Sequence, residues 1–302
     1  MLSYGQITND RFKSERKVRG LKQMIDVKNV RKSFGGKEVL KGLNISVKKG
    51  EIFGLLGPSG AGKTTLINIL TGQLSYDGEV KILEGKPEDI KGEKATRIGI
   101  MMDSFGIYER FSCYDNLKLF ADIYNLPKNR IDETLEAVGL GDDKKTKAAK
   151  LSKGMRSRLR LARVFMGNPE IIFLDEPTSG LDPQTAESIR ALIKAKSEQG
   201  CTIFLTTHDM NEAYSLCNHT ALLNEGKIVE YGTPKEICRR YNHRNKIALH
   251  LYDGSDLLLE NNPDAGIKIC ELQKAGSIET IHSTEPNLET VFLELTGRKF
   301  TA

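Results

Sequence analysis

Short apolar runs and stretches of helical periodicity alternate along most of the chain. Three runs are almost entirely apolar, which is typical of strands buried on both faces of a parallel sheet. They span residues 52–56, 171–174 and 202–205. Apolar residues with helical spacing occupy 65–70 and 186–196, so that strands and helices alternate. This alternation predicts an α/β fold built on a parallel sheet.

The remaining patterns place smaller elements around this core. Two strands, 24–27 and 39–47, flank a turn that contains Ser33-Phe34-Gly35-Gly36. Further short strands are predicted at 80–83, 98–101, 247–251 and 278–281, and helical spacing at 116–151 and from about 288 to 295. We therefore predict a basic extension (1–23), a main α/β domain (24–240) with a helical insertion at about 103–160, and a small α+β accessory domain (241–302).

The composition is that of an ordinary soluble globular protein, with 302 residues, 39% hydrophobic, 28% charged and no Trp. No apolar run approaches the roughly 18–20 residues that span a bilayer, and the N-terminus lacks the pattern of a signal peptide. The five cysteines are scattered and form no CxxC pair: Cys113, Cys201, Cys217, Cys238 and Cys270. They favour reduced thiols in the cytoplasm over a disulfide framework or a zinc site.

The net charge of +5 is mild, and much of it lies in the basic extension. A basic arm of this kind can contact anionic lipid or nucleic acid. A solvated tail is the commoner outcome for such a segment. We expect no nucleic-acid partner.

The segment after the first buried run carries the sequence GxxxxGK[ST] of a phosphate loop and is followed by a helix. Its glycines let successive backbone N–H groups turn towards an anion, and the helix N-terminus adds its positive dipole end. Lys63 is expected to reach the β- and γ-phosphates of a nucleotide, and the Thr64 hydroxyl to ligate Mg²⁺. The predicted nucleotide-binding residues are Gly57, Pro58, Ser59, Gly60, Ala61, Gly62, Lys63, Thr64 and Thr65. A glycine turn without a ligand is the alternative, which the strand–loop–helix context disfavours.

Two acidic residues follow the second buried run, which spans 171–174. Asp175 is expected to hold Mg²⁺ through its water shell, and Glu176 to polarise the water that attacks the γ-phosphate. Two acids that merely end a strand at the surface are the alternative. The phosphate loop in the same chain favours the catalytic interpretation.

These motifs and three further segments resemble the ATP-binding subunit of an ABC transporter, a P-loop NTPase, over residues from about 25 to 235. Leu151-Ser152-Lys153-Gly154-Met155 resembles the family signature LSGGQ, and Ser179-Gly180-Leu181-Asp182-Pro183 resembles the D-loop. His208 resembles the switch histidine, which contacts the γ-phosphate and orients the catalytic glutamate. Phe34 lies where an aromatic ring stacks on adenine. The resemblance implies ATP and Mg²⁺ as cofactors and adds Ser152, Gly154 and Asp182 to the nucleotide-binding residues.

In the family the signature lies at a helix N-terminus, where the Ser152 hydroxyl and the Gly154 N–H can donate to a γ-phosphate. The resemblance implies a head-to-tail dimer in which each ATP lies between the phosphate loop of one subunit and the signature of the other. The sequence leaves open whether the second subunit is an identical copy or a sister ATPase. Because no transmembrane segment is predicted here, we expect the transmembrane permease subunits to be separate chains. This subunit is then expected at the cytoplasmic face of the cell membrane.

The sequence departs from the family pattern at three positions. Asp103 takes the place of a Gln after the strand that begins at Ile98, and it is expected to ligate Mg²⁺ with altered metal dependence or slower turnover. Lys153 and Met155 replace Gly and Gln in the signature. An acid at position 103 and an LSxGM signature are similar to a branch of exporters that handle bacteriocins, lantibiotics and related antibiotics.

Two further segments carry a resemblance without catalytic groups. Residues 105–117 resemble the segment that docks on the membrane subunit, with aromatic side chains that fill a groove. Local core packing is the alternative for any one of these rings. Residues 285–297 resemble the tail of drug- and antibiotic-type exporter ATPases.

The predicted function is that of the ATP-hydrolysing subunit of a bacterial ABC exporter, for an antibiotic peptide or a drug. We assign catalysis to Glu176, His208 and Lys63, and metal binding to Thr64, Asp103 and Asp175. A soluble ABC ATPase acting on the ribosome is one alternative, although such proteins usually carry two nucleotide domains in tandem. A regulator that barely hydrolyses ATP because of Asp103 is another, which Glu176 and His208 disfavour. The transported substrate and the direction of transport are not encoded here, since the pathway lies in the permease.

Overall fold

The computed structural model describes residues 22–102, 106–242 and 246–297. Two compact units meet in sequence between Gly232 and Thr233. The predicted boundary after residue 240 lies further along, so that residues 233–240 belong to the second unit. Asp103, which we predicted as a metal ligand, lies outside the described residues.

The first unit consists of two sheets and the helices around them. Its strands are β1 (Gln23–Phe34), β2 (Lys37–Lys48), β3 (Ile52–Leu56), β4 (Asp77–Ile82), β5 (Ile98–Met101), β6 (Ile171–Asp175), β7 (Thr202–Thr207), β8 (His219–Asn224) and β9 (Lys227–Gly232). Its helices are α1 (Lys63–Leu70), α2 (Glu93–Thr96), α3 (Cys113–Ile123), α4 (Asn129–Ala137), α5 (Lys153–Met166), α6 (Pro183–Glu198) and α7 (Met210–Leu216), with 3-10 turns at Pro87–Asp89 and Ala148–Lys150. Within the three described ranges of the chain, no helix has both the length and the apolar character needed to cross a bilayer.

A six-stranded sheet in the order β5-β6-β7-β3-β8-β9 forms the centre of the first unit. Its strands are parallel except β9, which pairs antiparallel with β8. Strands β3, β6 and β7 are buried along nearly their whole length, as their continuous apolar runs predict. Because parallel strands end at the same edge, the residues that follow β3, β6 and β7 meet there. Sequence analysis missed β8 and β9.

The second sheet is antiparallel, in the order β2-β1-β4, and its apolar side chains join the core of the six-stranded sheet. Strands β1 and β2 are longer than predicted. The turn between them is reduced to Gly35 and Gly36, whose φ angles of 54° and 83° favour glycine. Phe34 is therefore the last residue of β1 and not part of the turn.

The helical insertion is interrupted more often than its apolar spacing indicates. Helices α3 and α4 are separated by Asn125, in the left-handed region with φ of 52°, and by Pro127. Residues 138–147 lie within the stretch of helical spacing, where Gly139-Leu140-Gly141 indicates an interruption, and the structure shows no helix there. The chain turns at Gly139, whose φ is 70°. The next helix, α5, begins only after Ser152.

The second unit is a small α+β domain by itself. Its elements are α8 (Pro234–Arg240), β10 (Lys246–Leu251), β11 (Asp256–Glu260), α9 (Pro263–Lys274), β12 (Ile278–Ser283) and α10 (Leu288–Thr296). The strands form an antiparallel sheet in the order β11-β10-β12. Strands β10 and β12 and helix α10 lie where we predicted them, and α10 ends at Gly297 with a φ of 67°. Sequence analysis missed α8, β11 and α9.

Candidate nucleotide-binding site

The phosphate loop connects β3 to α1 at the edge of the six-stranded sheet where the parallel strands end. Lys63 is 8% exposed and its Nζ donates to the carbonyl oxygen of Gly57 at 2.6 Å. Two glycines are required by close packing as well as by their role in the motif. A Cβ at Gly57 would lie 2.5 Å from the carbonyl oxygen of Leu223, and one at Gly62 would lie 2.6 Å from Cδ2 of Leu40. The hydrogen bond of Lys63 and the close packing of the two glycines therefore restrict the conformation of the loop.

An open cavity of about 500 Å³ lies over this loop. It is lined by Val39, Pro58, Ser59, Gly60, Gly62, Lys63, Thr64, Thr65, Asp175, Glu176, Ser179 and His208. The structure thus brings together most of the phosphate-loop residues, both acids and the histidine that were singled out from the sequence. Gly57 and Ala61 are buried in the loop outside the lining, and Val39 and Ser179 are additions that sequence analysis missed.

Asp175 lies between the phosphate loop and the neighbouring strand β7. Its Oδ2 accepts a hydrogen bond from the Thr64 hydroxyl at 2.9 Å, and its Oδ1 accepts one from the Thr206 hydroxyl. A hydroxyl and a carboxylate oxygen at this distance are a suitable donor set for Mg²⁺, which prefers oxygen ligands and retains several waters. Thr206 was missed from the sequence, and the pairing of Asp175 with Thr206 in adjacent parallel strands explains its position.

Glu176 shares its carboxylate between two candidate catalytic groups. Oε2 lies 2.6 Å from Nδ1 of His208, and Oε1 lies 3.3 Å from Nζ of Lys63. The backbone is left-handed at Glu176, with φ of 50°, and its N–H donates to the carbonyl oxygen of Thr206 at 3.0 Å. This conformation is uncommon for a residue with a side chain and is often found at active sites. It directs the carboxylate towards the lysine and the histidine.

The signature segment, residues 151–155, begins helix α5. Ser152 is the N-cap, and its Oγ accepts from the N–H of Met155 at 3.2 Å. The same hydroxyl keeps its proton for donation to a ligand. Gly154 packs against α6, since a Cβ there would lie 2.6 Å from Cγ2 of Thr185. Neither Ser152 nor Gly154 lines the cavity over the phosphate loop of the same chain.

Two more of the predicted nucleotide contacts lie outside that cavity. Asp182 is the N-cap of α6, and hydrogen bonds from Thr185 hold the pKa of its carboxyl below the usual range. Phe34 is 46% exposed, and the ammonium of Lys32 lies 5.1 Å from the centre of its ring. The structure leaves this ring accessible for stacking and does not bring it to the cavity lining.

A buried hydrogen bond that sequence analysis missed supports the segment after Glu176. The Thr178 hydroxyl donates to Oε1 of Glu212 at 2.7 Å. Glu212, on α7, is 1% exposed, and burial raises the pKa of its carboxyl above the usual range. The bond joins the acidic motif to the helix that follows His208. No local pattern in the sequence indicates this pair, which is 34 residues apart.

A second cavity, of about 600 Å³, lies in the first unit beside strand β5 and helices α3 and α5. Its lining is largely apolar and consists of Ala95, Thr96, Ile98, Gly99, Ile100, Gly106, Ile107, Tyr108, Phe120, Tyr124, Arg163, Val164 and Gly167. Arg163 donates to the carbonyl oxygen of Gly106 at 3.0 Å and lies over the ring of Phe120. Burial lowers the pKa of its guanidinium. We call this cavity the insertion groove.

Comparison with known proteins places the chain in a family. The model of the ABC transporter family matches residues 40–179. A fluoroquinolones export ATP-binding protein of Mycobacterium tuberculosis (strain CDC 1551 / Oshkosh) is 39% identical over 267 residues, which cover 87% of this chain and 89% of that protein. The chain belongs to the ABC transporter ATP-binding subunits. The family predicted from the motifs is confirmed.

Two other relatives differ in how much of the chain they match. A linearmycin resistance ATP-binding protein of Bacillus subtilis (strain 168) is 31% identical over 310 residues, covering 91% of this chain and 99% of the relative. A methionine import ATP-binding protein of Clostridium acetobutylicum is 39% identical over 219 residues, covering 69% of this chain and 68% of the relative. The fluoroquinolones export and linearmycin resistance proteins therefore align with more of this chain than the methionine import protein.

The predicted fold class is confirmed by solved structures of the family. A dimeric ATP-binding cassette in a post-hydrolysis state, bound to ADP and Pi, is 30% identical with a TM-score of 0.62, over 70% of this chain and 98% of that chain. The chain is an ABC ATPase: it binds nucleotide, and ATP hydrolysis drives transport. ABC ATPase subunits of transporters dimerise and work with membrane permease components.

Proposed function

We propose that this ABC ATPase powers the export of a drug or antibiotic through separate membrane permease subunits. The observation that carries the hydrolytic part is the convergence of Lys63, Asp175, Glu176 and His208 on one cavity over the phosphate loop. Phosphoryl transfer requires a cation that binds phosphate, a carboxylate that holds metal, a carboxylate that activates water and a polar switch group. Positioning and electrostatics supply most of the catalysis in this reaction.

Each of these residues has a proposed role in ATP hydrolysis. Lys63 binds the β- and γ-phosphates, while the backbone N–H groups of the phosphate loop surround them. Glu176 orients and polarises the attacking water. His208 holds the carboxylate of Glu176 through its ring and contacts the γ-phosphate. Glu176 is paired with Lys63, and the phosphate of a bound ATP is proposed to take the place of the carboxylate on the lysine.

Thr64 and Asp175 are proposed as the groups that hold Mg²⁺, and Asp103 as a third. Their hydroxyl and carboxylate oxygens suit this ion. When bound, Mg²⁺ supplies positive charge that stabilises the developing charge on the phosphate oxygens. Thr206 is proposed to hold the Asp175 carboxylate in position for this role, since its hydroxyl donates to Oδ1.

The complete site is proposed to need a second subunit, either an identical copy or a sister ATPase. Ser152 and Gly154 belong to the helix N-terminus of the signature segment, which suits the γ-phosphate of an ATP. They do not line their own chain's phosphate-loop cavity. A head-to-tail dimer places them over the ATP of the partner, together with Asp182 and the D-loop segment, residues 179–183. Phe34 is proposed to stack on adenine.

The insertion groove is proposed to receive a cytoplasmic helix of the permease. Its apolar lining includes the exposed ring of Tyr108, and exposed aromatic residues that line a groove are frequent anchors of protein interfaces. Arg163 supplies a cation within this apolar surface. Docking of this groove places the chain at the cytoplasmic face of the cell membrane as a peripheral subunit.

The proposed direction of transport rests on the extent of the similarity to relatives. The first unit ends at Gly232 of 302 residues, so an alignment that covers 87% of the chain includes part of the second unit. The import relative, at the same identity, covers only 69%. We therefore propose that the second unit is an accessory domain shared with exporters, and we infer export.

Turnover and assembly of purified protein test the hydrolytic part of the proposal. Wild type should hydrolyse ATP in the presence of Mg²⁺, and Glu176→Gln should lose at least about 100-fold in kcat. The same variant should still bind ATP and shift to a dimer in size-exclusion chromatography. Glu198→Gln, at the exposed end of α6, is the matched control and should behave as wild type. A wild type that binds ATP but neither hydrolyses it nor dimerises with permease subunits present would contradict the proposal and favour a regulatory role.

Export is tested in cells that produce the chain together with its permease subunits. Resistance to a fluoroquinolone or to an antimicrobial peptide should rise with wild type and not with Glu176→Gln. Equal resistance with both proteins would separate the transport assignment from the ATPase assignment. Copurification with ribosomal RNA instead of membrane subunits would favour the ribosomal alternative.

A further inference from the structure

The start of helix α5 is tied to the segment that follows Glu176 in the same chain. Lys153 Nζ donates to the carbonyl oxygen of Gly180 at 2.8 Å. One turn further along α5, the Ser157 hydroxyl donates to the carbonyl oxygen of Pro177 at 3.3 Å. Between them, Gly154 packs on Thr185 at the beginning of α6. The first turns of α5 therefore contact the chain after Glu176 at Pro177 and Gly180, and the first turn of α6 at Thr185.

Of the three α5 residues that make these contacts, Lys153 is the one that is not needed for helix packing. Gly154 and Ser157 are packed into helix contacts, whereas the side chain of Lys153 is exposed and reaches the loop through its ammonium group. Among the described residues, no carboxylate lies within ion-pair distance of Lys153. Its charge is therefore directed to the backbone carbonyl of Gly180, as a charge-assisted hydrogen bond.

Gly180 has a backbone conformation that favours glycine. Its φ of 63° lies in the left-handed region, and a Cβ there would lie 2.3 Å from the Lys153 ammonium. The turn is otherwise held by two backbone bonds, from the Ser179 N–H to the Glu176 carbonyl oxygen at 3.2 Å and from the Leu181 N–H to the Thr178 carbonyl oxygen at 3.1 Å. Both lie immediately after the catalytic acid. A contact that holds Gly180 thus restricts the backbone on the C-terminal side of Glu176.

We propose that Lys153 is a positioning residue, which links the signature segment to the D-loop of its own chain. This rests on the proposed function, in which the signature contacts the partner's ATP. Contact of the signature with that ATP is transmitted through Lys153 and Gly180 to the backbone that follows Glu176, which acts on the chain's own ATP. Lys153, which replaces a Gly of the family signature, couples the two ATP sites of a dimer within one subunit.

Amide hydrogen exchange of the full chain without nucleotide tests the contact itself. Lys153→Met removes the donor and keeps the length of the side chain, and Lys153→Arg retains donors. In Lys153→Met, the amides of Ser179 and Leu181 should exchange about three- to tenfold faster than in wild type. Lys153→Arg should lie closer to wild type. Lys150→Met, which removes an exposed lysine before the signature segment, is the matched control and should leave exchange unchanged.

Steady-state kinetics test the consequence for hydrolysis. Lys153→Met should lower kcat about three- to tenfold with KM for ATP unchanged, and it should reduce the Hill coefficient towards one. Added to Glu176→Gln, it should leave ATP-driven dimerisation intact, because the proposed contact lies within one subunit. Lys153→Arg should restore much of kcat.

Three outcomes would overturn the proposal. Unchanged exchange at Ser179 and Leu181 would show that Lys153 does not hold the loop. Unchanged kcat and Hill coefficient in Lys153→Met, with wild type active, would show that the contact has no part in hydrolysis. Loss of dimerisation in the double variant would mean that Lys153 contacts the partner's nucleotide instead. Failure of Glu176→Gln alone to dimerise would count against the proposed function, and the exchange measurement would still decide on the contact.

Discussion

The phosphate-loop side and the signature side of this ATPase differ in how far folding alone assembles them. On the first side, Glu176 is joined to His208 by a hydrogen bond and to Lys63 by an ion pair, and Asp175 accepts from the Thr64 hydroxyl. On the second side, Ser152 is exposed and caps its own helix, with its hydroxyl proton still available. Buried charges must be paired inside the fold, whereas an exposed helix N-terminus is solvated. The phosphate-loop side is therefore assembled within one chain, whereas the signature side is proposed to gain its ligand, the ATP, from a second subunit.

The largest expected effect is on nucleotide binding and comes from the assembled side. Lys63→Ala removes the cation for the phosphates and leaves Glu176 without its ion-pair partner. Affinity for ATP should fall about 100-fold or more, since charge-assisted bonds to phosphate in a buried site are among the strongest. Titration with a fluorescent ATP analogue measures this. Lys194→Ala, an exposed lysine on α6, is the control, and an equal loss there would contradict the assignment.

Ser152→Ala should separate the two sides, because it affects turnover and leaves nucleotide binding by the single chain unchanged. We expect kcat to fall about 10- to 100-fold, as for loss of one transition-state hydrogen bond. Loss of the cap should also lower the free energy of unfolding by about 1 kcal/mol.

Ser112→Ala is the matched control for that substitution. Ser112 caps α3 through the N–H of Asp115, and its hydroxyl also donates to the Asp115 carboxylate. Ser112→Ala should lower the free energy of unfolding, measured with urea, by at least as much as Ser152→Ala. Its turnover should remain unchanged. Equal kcat values in the two variants would show that Ser152 acts only as a helix cap.

Thr64→Val tests whether the assembled side is organised around Mg²⁺. The hydroxyl that donates to Asp175 is lost and the size of the side chain is kept. The Mg²⁺ concentration for half-maximal turnover should rise about tenfold, since one oxygen ligand is removed. Thr71→Val, which removes the hydroxyl bonded to the Ile67 carbonyl oxygen at the end of the same helix, should not change it. An unchanged requirement in Thr64→Val would exclude this residue as a ligand.

The smallest effect is on stability and comes from the buried support behind the assembled side. Burial raises the pKa of Glu212 in the folded chain, so folding favours its protonated form. Its contribution to stability is present at low pH and is lost as pH rises through the raised pKa. Glu212→Gln stays neutral, so the free energy of unfolding of wild type should fall relative to this variant as pH rises above the ordinary pKa range of a glutamate carboxyl. Urea unfolding at several pH values measures the difference, and parallel profiles would contradict the assignment.

The sequence predicted best the parts of the site that are continuous in the chain. The phosphate loop and the acidic pair each follow a buried apolar run, and such runs are recognisable locally. The contacts that join distant segments were not predicted: Thr206 to Asp175, Thr178 to Glu212, and Lys153 to Gly180. None has a local signal, because each depends on which strands and helices become neighbours.

The same division applies to the fold. Strands β3, β6 and β7 were recognised because strands covered on both faces consist of apolar residues. Helix α9 was missed, because a partly exposed helix has no continuous apolar stripe, and only Ala265 is buried along it. The breaks before and after α4 coincide with left-handed backbone at Asn125 and at Gly139, and only the second has the glycine that signals such a conformation.

The sequence by itself determined the family, the phosphate-binding chemistry and the order of the motifs, because these reside in short segments with fixed spacing. Tertiary structure decided which groups face one another. The order β6-β7-β3 at one sheet edge places Asp175, His208 and the phosphate loop around one cavity, although they are far apart in the chain. It also placed Lys153 on Gly180 and left Ser152 outside its own cavity. The physical reason is that side-chain pairing across strands and helices depends on the packing of the whole sheet.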